Sequence, residues 1–252
     1  MSLPPYVFDA AHEVVLDYAE YSGMPLPGIV ACLSDFRRLN REEWEALPGS
    51  WADRAERFYA LSRNYIFDLL RGHPSRRVVL ENLQRFEPRI MESFRGHAGR
   101  TFLDFGGGTG VFCQIMAELG KEVTYADLAG PVSDFAAWRF QKLGLKVERV
   151  VSEPRALRLP RGFDLIFSDA VFEHLIDPLR SARELAGHLL PGGFMGLLVD
   201  LEGENPDMPM HRNVDIVALH RVLEGSGLSS LFGFGTFASG WCRPSGAPGV
   251  SG

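Results

Sequence analysis

The chain has 252 residues, 46% of them hydrophobic and 23% charged, which is enough for a substantial core and too apolar for wholesale disorder. Its net charge of −6 argues against a nucleic-acid or anionic-membrane partner, since either would select a basic face. The three cysteines, Cys32, Cys113 and Cys242, are odd in number and far apart, and the seven histidines show no H-E-x-x-H spacing, so neither a disulfide framework nor a zinc site is expected. No secretory leader pattern or membrane-length apolar run is visible, and a soluble, cytoplasmic monomer or homodimer is expected.

Residues 1–98 contain no convincing strand and read as helices punctuated at Pro25 to Gly28, Pro48-Gly49 and Gly72 to Pro74. An all-helical extension is expected here. Ala10 to Tyr21 carries Val14, Val15 and Tyr18 at helical spacing, and Ser50-Trp51-Ala52-Asp53 forms a capping box with Asp in the Glu position. One face of the helix that follows would hold Ala55, Phe58, Ser62, Tyr65 and Leu69. A last helix, from about Ser75 to Phe94, has Val79, Leu83, Phe86 and Ile90 on a stripe and should kink or split at Pro88. The aromatic residues of this helical part, Tyr59 and Tyr65 among them, read first as core, because a helical layer must bury one stripe.

The most informative stretch is Thr101 to Gly110, T-F-L-D-F-G-G-G-T-G, an apolar strand that runs into a glycine cluster and then a helix from Val111 to Leu119. Glycines at such a corner admit positive φ and close ligand approach, and the helix start adds unpaired N–H groups. Both registers of G-x-G-x-x-G fail, at Val111 and at Cys113, and no Gly-Lys-Ser/Thr closes a P-loop. What fits is Asp104-x-Gly106-x-Gly108-x-Gly110, with Phe105 between the acid and the first glycine. Strand and helix then alternate, the pattern of a parallel sheet covered on both faces. Lys121 to Ala126 is the second strand, and Asp127 at its end, followed by Leu128, is placed to take both hydroxyls of a ribose. Phe135 to Lys142 reads as a helix, and Lys146 to Val151 as the third strand.

A second marked stretch runs from Gly162 to Pro178: a buried strand from Phe163 to Phe167, Ser168 and Asp169 at its tip, and Asp177-Pro178 opening a helix. The two stretches together resemble motifs of the class I S-adenosylmethionine-dependent methyltransferases, specifically those acting on small molecules. Asp104 to Gly110 is similar to the family's first motif, and F-D-x-I-x-S-D-x-x-x-E-H-L-x-D-P to its fourth. The resemblance covers about Gly99 to Phe237 and implies a Rossmann-like, doubly wound seven-stranded sheet with an antiparallel last strand. The chain is expected to divide into a helical lid that selects the acceptor (1–98), a cofactor domain (99–243) and a Pro/Gly/Ser-rich flexible tail (244–252). The resemblance implies that Asp104, Phe105, Gly106, Gly108, Gly110, Asp127, Leu128, Ser168 and Asp169 hold S-adenosylmethionine. Glu153 stands where the family's adenine-contacting acid stands, with Glu for Asp and Pro154 after it.

Methyl transfer from a sulfonium is an in-line displacement, so the protein chiefly aligns the reactants and excludes water. If the acceptor is a hydroxyl or protonated amine, a base is needed, and His211 and His174 are the candidates. Glu173 is expected to point away from His174. Tyr59 and Tyr65 are candidates to close over the cofactor from the lid. The implied partners are S-adenosylmethionine, its product S-adenosylhomocysteine and a small-molecule methyl acceptor. A base methyltransferase of nucleic acid would show D/N-P-P-Y/F after the fourth strand, where this chain has Ser168-Asp169-Ala170-Val171. A non-catalytic cofactor-binding subunit and a different use of the sulfonium, such as cyclisation, need the same pocket and stay open at this point.

Overall fold

A computed structural model describes residues 5–153, 157–201, 203 and 205–246. Six helices come first: α1 (Glu13–Ser22), α2 (Leu26–Glu45), α3 (Trp51–Leu61), α4 (Tyr65–Gly72), α5 (Arg76–Phe86) and α6 (Pro88–Gly96). The rest alternates: β1 (Thr101–Phe105), α7 (Val111–Glu118), β2 (Glu122–Leu128), α8 (Pro131–Lys142), β3 (Val147–Ser152), β4 (Phe163–Asp169), α9 (Pro178–His188), β5 (Leu189–Leu198), α10 (Ile216–Gly225), β6 (Ser229–Phe232) and β7 (Ala238–Cys242). The strands form one sheet in the order β3-β2-β1-β4-β5-β7-β6, with β7 antiparallel to both neighbours and the β1 to β5 pairs parallel. This is the seven-stranded Rossmann-like arrangement with an antiparallel last strand. No helix among the described residues is long and apolar enough to cross a membrane.

Two apolar layers explain why the chain folds this way. On one face of the sheet, Phe163, Ile166, Met195 and Trp241 pack with Ala182 and Leu185 of α9 and Leu219 and Leu223 of α10. On the other, Phe102, Phe112 and Phe167 share a core with Val14, Leu33, Phe58, Leu83 and Phe94 of the helical part. Phe94 alone meets Phe102, Phe167 and Phe194 edge-on, so α6 is pinned to three strands.

Several local expectations are corrected. The helix begun at Ser50 has its capping box with Asp53 but ends at Leu61. The Ser62 hydroxyl donates to Glu43 Oε2 (2.6 Å) and accepts from the Tyr65 amide (2.9 Å), so α2 and Ser62 satisfy the groups that open α4. Pro88 splits the next helix into α5 and α6, and Phe86 is half exposed instead of part of a buried stripe. Pro191 to Gly193 lie as an irregularity within β5, where Phe163 pairs with Leu189 and Leu165 already with Phe194.

Candidate functional site

A cavity of about 520 Å³ opens at the carboxyl ends of β1, β2 and β4, the crevice where open α/β sheets bind ligands, and α3 and α4 of the helical part roof it. Its floor is the glycine turn. Gly106 has φ of +70°, and a Cβ there would lie 2.3 Å from a Val171 methyl, so that position must be glycine for the protein's own packing. Gly108, with φ of +51°, differs: a Cβ would find only Leu69 side-chain atoms, at 3.5 Å and beyond, together with its own turn. The backbone at Gly108 therefore faces open cavity, a cradle that a side chain would fill.

Two buried acids flank this turn. Asp104 accepts from the Cys113 thiol (3.2 Å); burial outweighs that bond and pushes its pKa up to about 7, with Asp127 and Asp169 adding to the rise. Asp127 Oδ2 accepts from the Gly108 amide (2.8 Å) and Oδ1 from the Leu128 amide (2.7 Å). Burial still leaves its pKa above the ordinary range. Asp127 thus shapes the turn as well as lining the cavity, and Oδ1 retains a lone pair for a ligand hydroxyl.

The roof is as polar as the floor. Along α4, Tyr65, Asp68, Leu69 and Gly72 recur at helical spacing and line the cavity, with His73 just beyond. His73 Nε2 lies 3.2 Å from Asp169 Oδ2. Burial opposes charge on His73, yet the hydrogen bond and charge of Asp169 outweigh it and raise its pKa. Asp68 is pushed up to about 6 by burial, against the charges of His211 and Arg37.

At the far end lies a histidine pair whose rings meet edge-on with centroids 4.6 Å apart. Tyr59 donates its one proton to the Met210 carbonyl (3.1 Å), which assigns His174 Nδ1 as donor in its 2.6 Å contact with the Tyr59 oxygen. His174 Nε2 then faces the Tyr65 hydroxyl at 3.4 Å, and burial holds its pKa well below the usual imidazole value. His211 is different. Both its ring nitrogens are buried with no hydrogen bond to the described residues, and Nδ1 lies 3.5 Å from Asp200 Oδ2. Three ties from the helical part hold the loop before His211: Arg41 to Asp207 (3.0 Å), Trp51 to the Pro209 carbonyl (3.3 Å) and Tyr59 to the Met210 carbonyl. Glu173 is 1% exposed and drives toward the neutral acid through burial; its own amide and that of Asp200 approach the carboxyl without a well-aligned bond.

Of the residues singled out in the sequence, Tyr59, Tyr65, Asp104, Phe105, Gly106, Gly108, Asp127, Leu128, Glu153, Asp169, His174 and His211 all line this one cavity. Two do not. Ser168 is fully buried and off the lining, because neighbours on a strand alternate faces and Asp169 takes the cavity side. Gly110 heads α7 with a φ of +72°, its Cβ position against Phe140, so its part is local geometry. Glu153 lies on the exposed rim, 3.9 Å from Arg158, and the following Pro154 to Ala156 fall outside the described residues. Glu173 is also corrected: in the short turn Phe172–His174 its Oε1 comes within 3.9 Å of His174 Nε2. Sequence reasoning missed Asp68, His73 and Asp200. Asp68, a lone acid on the same helix face as Tyr65 and Leu69, was the available signal for the first.

Residues 103–197 match the family model described as a methyltransferase domain, and the fold is shared with solved S-adenosylmethionine-dependent methyltransferases. Among curated proteins, the chain is 34% identical over 101 residues to a ubiquinone biosynthesis O-methyltransferase of Albidiferax ferrireducens, covering 39% of this chain and 40% of that protein. It is 38% identical over 98 residues to the protein of that name from Xanthomonas euvesicatoria, covering 38% and 41%. The chain thus spans about two-fifths of the length of these curated relatives. Among solved structures, an O-methyltransferase family protein from Burkholderia thailandensis superposes with a TM-score of 0.55 over 87% of this chain and 73% of that one, at 16% identity. That likeness extends through much of the helical part and is one of fold.

Proposed function

We propose that the protein transfers a methyl group from S-adenosylmethionine to an oxygen nucleophile of a small molecule, with His211 as the general base. The observation that carries this reading is a buried imidazole with both ring nitrogens unbonded, in the same cavity as the glycine cradle. The residues fit the cofactor. Asp127 has a lone pair left on Oδ1 for a ribose hydroxyl, Gly108 leaves its backbone open, and Asp104 and Asp169 offer carboxyls to a cationic amino-acid end. When bound, S-adenosylmethionine supplies an electrophilic methyl on a positively charged sulfur.

The chain's own contribution is proton removal, orientation and exclusion of water. His211 takes the acceptor's hydroxyl proton on one ring nitrogen, and Asp200, 3.5 Å from Nδ1, favours the imidazolium that forms. His174 has both nitrogens committed to Tyr59 and Tyr65, so it is a positioning residue that buttresses His211, not a second base. Helices α3 and α4 act as the lid, closing the cavity with Tyr59, Tyr65 and Leu69. The curated relatives carry an O-methyltransferase name, which supports oxygen as the nucleophile.

The test is calorimetric titration with S-adenosylmethionine and S-adenosylhomocysteine, followed by label transfer from methyl-labelled cofactor into a library of hydroxylated small molecules. His211→Gln should keep cofactor affinity and lose about 10²–10⁴-fold in turnover, the range for a general base. Absence of cofactor binding by the intact protein refutes the reading, and full turnover in His211→Gln removes His211 as the base.

A further inference from the structure

Ten described residues lining the cavity are Asp or Glu, against one arginine and no lysine. Several serve the cradle and its rim: Asp104, Asp127 and Asp169 sit by the glycine turn, and Asp177 and Glu184 head or pair within α9, where Glu184 already holds Arg180 (2.8 Å). Asp68 and Glu173 have no such task. Both belong to the histidine end: Asp68 lines the cavity from α4 one turn after Tyr65, whose hydroxyl is 3.4 Å from His174 Nε2, and Glu173 Oε1 lies 3.9 Å from the same nitrogen. Neither is used in proton removal as derived above.

Glu173 is the more telling of the two. Its carboxyl is buried, lines the cavity and has neither oxygen hydrogen-bonded to a described residue, and His211 beside it is buried and unbonded at both nitrogens. Leaving a buried polar group without a partner is costly, so a molecule that satisfies Glu173 and His211 together recovers that cost. Carboxyls crowded together in a buried site gain most from a positive ligand, because it relieves burial and mutual repulsion at once. The tyrosine rings of Tyr59 and Tyr65, which meet edge-on at 5.0 Å, add faces that attract a cation.

We infer that the acceptor is a hydroxylated amine whose ammonium group docks between Glu173 and Asp68 while its hydroxyl lies at His211. This rests on the methyl-transfer reading and names the class of acceptor for it. The ammonium donates to the Glu173 and Asp68 carboxylates, which ionise on its arrival, and the bound cation then fixes which hydroxyl reaches His211. Neutral acceptors leave Glu173 unsatisfied, and anionic ones meet an acid wall without a lysine.

The test uses the full chain saturated with S-adenosylhomocysteine and three probes of one skeleton: 2-phenylethylamine, 2-phenylethanol and 3-phenylpropanoate. Titration calorimetry should give tighter binding of the amine than of the alcohol by at least about tenfold, the gain of a charge-assisted over a neutral hydrogen bond, and no binding of the carboxylate. Glu173→Gln and Asp68→Asn should each shrink that preference while S-adenosylhomocysteine still binds. Two variants on different elements keep the test decisive if one of them fails to fold. Equal or tighter binding of the alcohol or carboxylate, no binding of the amine, or an unchanged preference in both variants overturns the inference. Failure of S-adenosylhomocysteine to bind at all overturns the methyl-transfer reading instead, before the probes are used.

Discussion

Asp17 lies in α1, far in sequence from the glycine turn, yet its replacement should weaken that turn. Arg139 of α8 is completely buried and donates to Asp17 (2.9 Å), to the Thr109 carbonyl (2.9 Å) and to Gln114 Oε1 (3.0 Å). Thr109 belongs to the glycine turn, so one guanidinium ties the first helix of the chain to the back of that turn. Asp17→Leu removes the counter-charge and leaves Arg139 with two neutral acceptors. Removing one partner of a buried pair costs about 3–5 kcal/mol. Lys142, which also meets Asp17 (2.7 Å), is one-third exposed and can keep Glu20 or turn to water, so the low end, about 3 kcal/mol, is expected. Against a typical domain stability of about 5–15 kcal/mol this is large. Urea unfolding of the wild type, Asp17→Leu, Arg139→Leu and the double variant measures the coupling. Binding of S-adenosylhomocysteine should fall in Asp17→Leu and hold in Glu20→Gln, which touches only the exposed branch. A loss below about 1 kcal/mol in Asp17→Leu, or strict additivity in the cycle, refutes the argument. A chain starting near residue 96 leaves the same arginine without its counter-charge and is expected to lose cofactor binding along with turnover.

Asp127→Asn should reduce cofactor affinity by about tenfold or more, since a charge-assisted hydrogen bond is lost and the Gly108 amide gets a weaker acceptor; unchanged affinity by calorimetry removes Asp127 from the site. Gly108→Ala puts a methyl into open cavity at a φ of +51°, with a stability cost of about 1–2 kcal/mol and a larger loss of binding; normal affinity would make the turn purely structural. Cofactor binding near pH 7 should release a proton, because Asp104 titrates at about 7 and a cationic ligand favours its charged form. Equal binding enthalpies in buffers of different ionisation heat would refute that. For stability, the raised pKa of Asp104 favours folding below it, and this contribution is lost as pH rises through about 7. His220, buried and lowered to about 4, works oppositely and loses stability as pH falls below the ordinary 6.5. The melting temperature should therefore rise as pH drops from about 8 to about 6.5, and a steady fall over that interval counts against the Asp104 assignment.

What was legible in the sequence follows from how local its causes are. The glycine turn could be read because positive φ and close approach are demanded by consecutive residues, and the capping box at Ser50 and the split at Pro88 are equally local. The cavity's acids on strand ends, Asp104, Asp127 and Asp169, could be read because a strand's period fixes which end and face its residues take. Asp68, His73 and Asp200 were not legible, because each acts only after a helix from one segment is laid across a strand end from another. Asp200 follows β5 with no motif of its own and gains meaning only when His211 returns to within 3.5 Å of it. His174 shows the same limit in reverse. Its sequence context made it a candidate base behind His211, and what separates them in the structure is a pair of tyrosines 115 and 109 residues away that occupy its two nitrogens. The assignment of the base to His211 is therefore a tertiary inference. It stands on which imidazole the helical part leaves unbonded, and the helical part is where the sequence offered no motif of the family.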